Sequence, residues 1–333
     1  MIREKSLSFP RAEHEEHSKA VLAGEAFPSN GGGSKTENGK MPLSSKRTYT
    51  SAWHGWHSFW TSIRNDVKAH WQDPKERVSI LLDEAQEMEL LLFDHRLQDA
   101  DVLEVGPGHV PIQLMYFARN NRAVGIDVNR VTYHRTPWAL LQIARESGSI
   151  RAAKTLGRWV LGYDSRLQNS VAQRLGEKTV SWPRMLQMDV RQMDFQDESF
   201  DFVYSRSVFQ HIKDPARAIQ EIGRVLKRGG AALISLHLWT CPNGYTYVPA
   251  PWEWPHLRGQ ALPHEIDQSR NRLRLAEWRQ LFEAAFPGCE IRLRGPETPE
   301  MINRALELRK TELTDYSLEE LISYDLSVSW RKR

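Results

Sequence analysis

The chain has 333 residues, with 45 basic against 42 acidic side chains and only two cysteines. That length accommodates one large domain with insertions or two modest ones, and the near balance of charge excludes a global field that would gather nucleic acid or an anionic membrane. Cys241 and Cys289 alone supply neither a disulfide framework nor a metal cluster, so a reducing, cytoplasmic setting is expected.

Residues 1–50 are polar, contain Gly31-Gly32-Gly33-Ser34 and show no apolar periodicity. Such a stretch buries too little surface to offset its ordering entropy, and a disordered tail is predicted. No apolar core of signal-peptide type occurs in it. Trp53, Trp56, Trp60, Ile63, Val67 and Trp71 then recur at steps of three and four, which places them on one face of a helix. Together with a second helix opened by Asp73-Pro74 and carrying Val78, Leu81, Leu82, Ala85, Met88 and Leu92, they form a helical region over 51–98. No apolar run reaches the ~18 residues that a membrane-spanning helix needs.

The main domain is expected over 99–333. A strand over 101–106 runs into the turn Gly106-Pro107-Gly108, a helix covers 112–118, and a second strand covers 122–127. The stretch 130–182 is too long for an ordinary crossover and holds helical runs near 138–145 and 152–161, so it reads as an inserted helical subdomain. Strands resume at 185–188, 200–204 and 231–236. Between the last two, Asp214-Pro215 opens a helix whose Ile219, Ile222 and Leu226 face inward, and Gly229-Gly230 is read as its left-handed stop. A helix near 275–285, a strand near 289–294, another helical piece and a strand near 325–330 follow. The alternation predicts an α/β, doubly wound, mostly parallel sheet with helical insertions, closed by an antiparallel edge.

A glycine turn after a buried strand lets backbone approach a ligand, and Asp127, about 20 residues further on, suits a ribose diol. An adenosine-containing ligand is therefore expected. The turn departs from G-x-G-x-x-G, because Pro111 stands where the third glycine would be and His109 and Val110 crowd the helix start that a pyrophosphate needs open. This weighs against nicotinamide and flavin, although an NAD(P)-dependent oxidoreductase and a non-catalytic binding module on the same fold remain the alternatives.

Five segments in order, Glu104-Val105-Gly106-Pro107-Gly108, Gly125-Ile126-Asp127, Met188-Asp189-Val190, Ser199 to Ser205 and Arg224 to Gly230, resemble the class I S-adenosylmethionine-dependent methyltransferases of small-molecule type. The resemblance covers about 99–237 and departs at Val110, where a third glycine is frequent. It implies a seven-stranded Rossmann-like sheet and S-adenosylmethionine as cofactor. It further implies that Gly106 and Gly108 lie against the methionine part, with Glu104 organising the loop and its ammonium contacts. By the same resemblance Asp127 would bind the ribose, Asp189 and the Val190 backbone the adenine edge, and Ser205 would sit beside the transferred methyl.

Methyl transfer from a sulfonium mainly requires alignment of nucleophile, methyl and sulfur. A hydroxyl acceptor benefits from a base of near-neutral pKa, which singles out His211 after the fourth strand and His237 at the end of the fifth. A cap over 237–274 holds Trp239, Tyr245, Tyr247, Trp252, Trp254, His256 and His264, which suits flat or glycan acceptors as well as a minor core. His237, His256 and His264 have no metal-ligand spacing. Ser205-Arg206-Ser207 stands where amino-methylating nucleic-acid enzymes of this type carry Asn/Asp-Pro-Pro-aromatic. An oxygen of a small molecule, sugar or lipid-linked intermediate is the expected acceptor, with no nucleic-acid partner.

Overall fold

The computed structural model describes residues 74–133, 135–242, 253–259, 271–295 and 298–333. The expected tail, the tryptophan-bearing helix of 53–71, and Tyr245, Tyr247, Trp252 and His264 lie outside the described residues.

Helix α1 (Lys75–Phe93) follows Pro74 at its cap and ends on Asp94, which takes the left-handed conformation there. Strand β1 (Asp101–Val105), helix α2 (Ile112–Phe117) and strand β2 (Arg122–Asp127) come next. The connection to β3 (Arg184–Gln187) carries three helices: α3 (Pro137–Ser147), α4 (Ser149–Val160) and α5 (Tyr163–Leu175). After β4 (Phe200–Arg206) come a 3-10 turn, Phe209–His211, helix α6 (Pro215–Val225) and strand β5 (Leu226–His237). The chain continues through α7 (Leu275–Ala285), β6 (Glu290–Arg294), α8 (Pro299–Thr311), α9 (Leu318–Ile322) and β7 (Asp325–Arg331). Three helices start by one device, an acceptor side chain followed by proline. Thr136, Asp214 and Thr298 each accept a backbone N–H from the first turn, while Pro137, Pro215 and Pro299 occupy the first helical position, where no N–H is needed.

The seven strands are ordered β3-β2-β1-β4-β5-β7-β6, and all neighbours are parallel except the pairs that involve β7. The antiparallel element expected at this end is thus β7, hydrogen-bonded between β5 and the outermost strand β6. Winding proceeds outward from β1 in one direction and from β4 in the other, so β1 and β4 flank the switch point where such sheets hold ligands.

Gly229 and Gly230 do not stop α6, contrary to the sequence expectation. The helix ends at Val225, and Leu226 already pairs with Phe200 as strand. The register slips between Phe200 and Phe202, and Gly229 takes a left-handed φ of 80° inside that bulge while its N–H donates to Lys332 O. A helix-stop glycine and a bulge glycine meet the same backbone demand, and only pairing distinguishes them.

Alternate residues of the central strands bury both faces of the sheet. Leu103, Val105, Val203, Ala232 and Ile234 pack with Ile219, Ile222, Trp278 and Phe282 of α6 and α7. On the other face Val102, Phe202, Tyr204 and Leu233 pack with Val78, Leu82, Phe117 and Leu167. There Phe202 contacts Phe93 and Phe117 edge-on, with 5.5 Å between ring centroids in each pair. At the other end of the strands Lys227 Nζ donates to Asp101 and Asp201, 2.7 and 2.8 Å away, tying β1, β4 and β5 together. A third cluster of Cys241, Trp254, Met301, Leu308 and Tyr324 joins the β5 exit to α8 and α9. Trp254 is fully buried, and its Nε1–H donates to Thr240 O and Leu321 O. This tryptophan of the expected cap is a core residue.

Phe282 is fully buried against Phe209, Trp278 and Phe286. Phe282→Ala should therefore lower stability by about 3–5 kcal/mol in urea titration, with little change in the slope.

Candidate functional site

The carboxyl ends of β1, β2 and β4 form a crevice, and the turn after β1 is its floor. Gly106 has φ 75° and donates its N–H to Ile126 O, 2.8 Å away. A Cβ there would lie 2.4 Å from Val208 Cγ2, so the loops that leave β1 and β4 touch at a point where only glycine fits. At Gly108 a Cβ would meet nothing within 4 Å, so the turn faces open space.

Glu104 lies opposite Tyr204 across the β1–β4 pair and is buried. Its Oε2 accepts from the Tyr204 hydroxyl at 2.9 Å. Burial pushes the carboxyl up to about 8 despite that bond and the Arg206 charge, and the same burial, with Glu104 beside it, raises the Tyr204 phenol well above its ordinary value. A buried carboxyl of this kind at the crevice is suited to a cationic ligand, whose charge would ionise it. Arg206 itself is drawn toward Glu84, with 3.4 Å between Nε and Oε2.

Asp127 closes β2, and its Oδ1 accepts from the backbone and side-chain nitrogens of Asn129 at 2.8 and 3.2 Å. Asp189 is held by its second neighbour: Arg191 donates from its backbone N–H at 2.9 Å and from Nη2 at 2.6 Å. The Arg191 hydrogen bonds hold the Asp189 carboxyl below the usual carboxylate range. Both partners are partly exposed, so this pair is worth little and yields readily to another donor. Val190 is buried. Ser205 is buried too, and its hydroxyl donates to Val105 O at 3.0 Å, bracing β1 against β4.

The two candidate histidines have different surroundings. His211 is exposed at the end of the 3-10 turn. His237 ends β5 directly opposite Asp325 of β7, and its Nδ1 bonds the Asp325 carboxylate while Nε2 lies 2.9 Å from Ser207 Oγ. The carboxylate has no proton to give, so Nδ1 is the protonated nitrogen and Nε2 accepts from the serine. Asp325 is oriented in turn by Arg294, with 2.6 Å between Nη2 and Oδ2. Nothing local in the sequence marks Asp325, which lies 88 residues from His237. His256, another histidine of the expected cap, bonds Trp239 O through Nε2 at 2.8 Å.

The helices between β2 and β3 add residues that sequence reasoning missed. Arg158 and Asp164, each with its side chain 4% exposed, form an ion pair at 2.9 Å. Tyr133 stacks flat on Trp182, with centroids 3.9 Å apart, and its phenol feels the charges of Arg158, Asp164, Glu104 and Asp127. Burial is the main reason that this phenol is raised above its ordinary range. Its buried hydroxyl has no hydrogen-bond partner among the described residues. Among the described residues no group of three or more metal-ligating side chains converges, and no helix is long and apolar enough to cross a membrane.

Residues 146–234 match a protein-family model described as a methyltransferase domain. Phosphoethanolamine N-methyltransferase 2 of Caenorhabditis elegans is 34% identical over 92 residues, 27% of this chain and 21% of the relative. Phosphatidylethanolamine N-methyltransferase of Cereibacter sphaeroides is 39% identical over 51 residues, 15% of this chain and 25% of the relative. The chain thus spans about a quarter or less of the length of these two relatives. A solved structure of Haemonchus contortus phosphoethanolamine N-methyltransferase 2, with phosphomonomethylethanolamine and S-adenosylhomocysteine, aligns at 14% identity over 75% of this chain and 52% of that one, with a TM-score of 0.40.

Two outcomes check this geometry. Glu104 ionises near 8 when folded against an ordinary value of 4.5. Its contribution is therefore complete below about 4.5 and is lost as pH rises through 8. Thermal melts of the ligand-free protein should show this loss between those values, and Glu104→Gln should flatten it. Gly106→Ala should lower the melting temperature and weaken cofactor-product binding together, because the new methyl displaces Val208. Residues 146–234 are thus similar to a methyltransferase domain, and the seven-stranded sheet wound outward from β1 and β4 has a Rossmann-like topology.

Proposed function

We propose that the chain is an S-adenosylmethionine-dependent methyltransferase that methylates an oxygen of a small molecule, sugar or lipid-linked acceptor. The observation that carries this reading is the crevice where buried Glu104, the turn at Gly106 and Gly108, and Asp127 meet at the switch point. These residues fit the cofactor. Glu104 would offer a buried carboxyl to its cationic part, the glycine turn would let backbone approach the methionine portion, and Asp127 would accept from the ribose hydroxyls. Asp189, released from Arg191, would accept from the adenine amino group beside the Val190 backbone. When bound, S-adenosylmethionine supplies a methyl group already activated for displacement.

The protein's own contribution is alignment and proton removal. His237 is the base of this proposal. Asp325 keeps Nδ1 protonated, so Nε2, which lies 2.9 Å from Ser207 Oγ, is the nitrogen that takes the acceptor's proton. His211, exposed at the end of the 3-10 turn, is not the base of this proposal. Ser205, whose hydroxyl already bonds Val105 O, supports the loop on which the methyl would be presented.

A second reading, methylation of nitrogen, is favoured by the names of the two relatives, both N-methyltransferases. The histidine–aspartate pair favours a hydroxyl instead, because its proton must be removed.

S-adenosylhomocysteine at a hundredfold excess over its Kd should stabilise the protein by about 2.7 kcal/mol in thermal melts. Asp127→Ala should remove most of that gain. NAD should give none, and equal stabilisation by NAD would favour the oxidoreductase instead. With an acceptor in hand, His237→Ala should lower kcat by roughly 10²–10⁴-fold, while His211→Ala stays within a few fold of the parent. The reverse ranking would reassign the base.

A further inference from the structure

Ser207, His237 and Asp325 come from three strand ends and form one hydrogen-bonded row. Ser207 Oγ lies 2.9 Å from His237 Nε2, His237 Nδ1 bonds Asp325 Oδ1, and Arg294 Nη2 holds the other carboxylate oxygen at 2.6 Å. The acid is 10% exposed, the imidazole 27% and Ser207 half-buried, so the row runs from the interior toward the surface. Ser207 itself has a φ of 55°, a left-handed conformation that a serine adopts at a cost of about 1–3 kcal/mol. The surrounding loop enforces it. Ser207 N–H donates to Ser235 O at 2.8 Å, Gln210 Nε2 donates to Ser207 O at 2.9 Å, and Asn271 Nδ2 donates to the carbonyls of Phe209 and Ile212. A strained serine directly after a strand, with a histidine on its hydroxyl and a carboxylate behind the histidine, is the arrangement that activates a nucleophile on several unrelated folds.

We propose that Ser207 is an activated nucleophile, with His237 as its base and Asp325 as the positioning residue, and that it gives the chain an acyl-transfer activity toward small esters. In the first step the Ser207 Oγ–carbon bond forms at the ester carbonyl and the hydroxyl proton passes to His237 Nε2. Collapse breaks the carbon–oxygen bond of the leaving group, which departs as alcohol with that proton. Water then adds to the acyl-serine, gives its proton to His237, and the carboxylic acid leaves as Ser207 Oγ recovers the proton. Asp325 takes no proton. It keeps the imidazole in the tautomer whose Nε2 faces the serine. This activity needs no methyl donor, so it stands apart from the methyl-transfer reading.

The test treats the full chain with phenylmethylsulfonyl fluoride, in which the serine oxygen–sulfur bond forms, the sulfur–fluorine bond breaks, and the proton goes to His237 as fluoride leaves. Peptide mass spectrometry should find one adduct, on Ser207. Ser207→Ala should carry none, His237→Gln should label at least a hundredfold more slowly, and Asp325→Asn at least tenfold more slowly. Turnover of p-nitrophenyl acetate should fall in the same order. Melting curves without ligand identify the variants that remain folded, and Asp325→Asn and His237→Gln each test the relay if the other fails to fold. No adduct on the folded parent chain, an adduct elsewhere only, or an unchanged labelling rate in a folded His237→Gln or Asp325→Asn variant would overturn the proposal. S-adenosylhomocysteine stabilisation is read separately, so loss of one conclusion leaves the other measurable.

Discussion

The close approach of the β1 and β4 loops is the constraint on which the rest of the site depends. With 2.4 Å between a would-be Cβ at Gly106 and Val208, the chain after β4 lies directly on the turn after β1. That contact holds the crevice at the switch point and puts the strand-end residues of both halves within reach of one ligand. It also sets the direction of Ser207, which follows Arg206 out of the sheet and meets the end of β5. Packing on both faces of the sheet keeps this meeting point rigid, because Leu103 and Val105 face one core and Val102 the other.

The two sides of the crevice are built by different physics. On the side proposed for the cofactor, β1 and β2 and the turn after β1 deliver Glu104, Gly106, Gly108 and Asp127 from nearby elements, so their placement follows from local chain geometry. On the side proposed for the acceptor, His237 receives its carboxylate from β7, which pairs antiparallel with β5. Cross-strand neighbours in an antiparallel pair stand about 5 Å apart at Cβ, close enough for a direct bond between histidine and aspartate. The connection between β2 and β3 adds Tyr133, whose phenol is within electrostatic range of Glu104 and Asp127 on one side and of the Arg158–Asp164 pair on the other.

This division explains what could be read in advance. Strand, glycine turn, helix and acid follow one another over a few dozen residues, and periodicity with turn chemistry suffices to place them. Helix α6 likewise announces itself through Asp214-Pro215, whereas the same device at Thr136-Pro137 and Thr298-Pro299 emerges with the structure of α3 and α8. The bulge at Gly229 was not legible as such, because a glycine at positive φ serves a helix stop and a bulge equally. Asp325 could not be matched to His237 without the β5–β7 register, since a shift of one residue would turn it to the other face. The capture of Asp189 by Arg191 and the burial of Trp254 under α8 and α9 also depend on three-dimensional neighbours. An aromatic-rich segment looks the same in sequence whether it caps a ligand or fills a minor core.

The central claim is that one crevice joins a methyl donor, held at the ends of β1 and β2, to a base at the end of β5. A crystal structure of the full chain with S-adenosylhomocysteine tests it most directly. The account predicts the ribose hydroxyls on Asp127, the amino acid portion against the Gly106 turn near Glu104, and the sulfur directed toward Ser207 and His237. A ligand bound elsewhere, or bound in the crevice with its sulfur turned away from the β5 end, would contradict it.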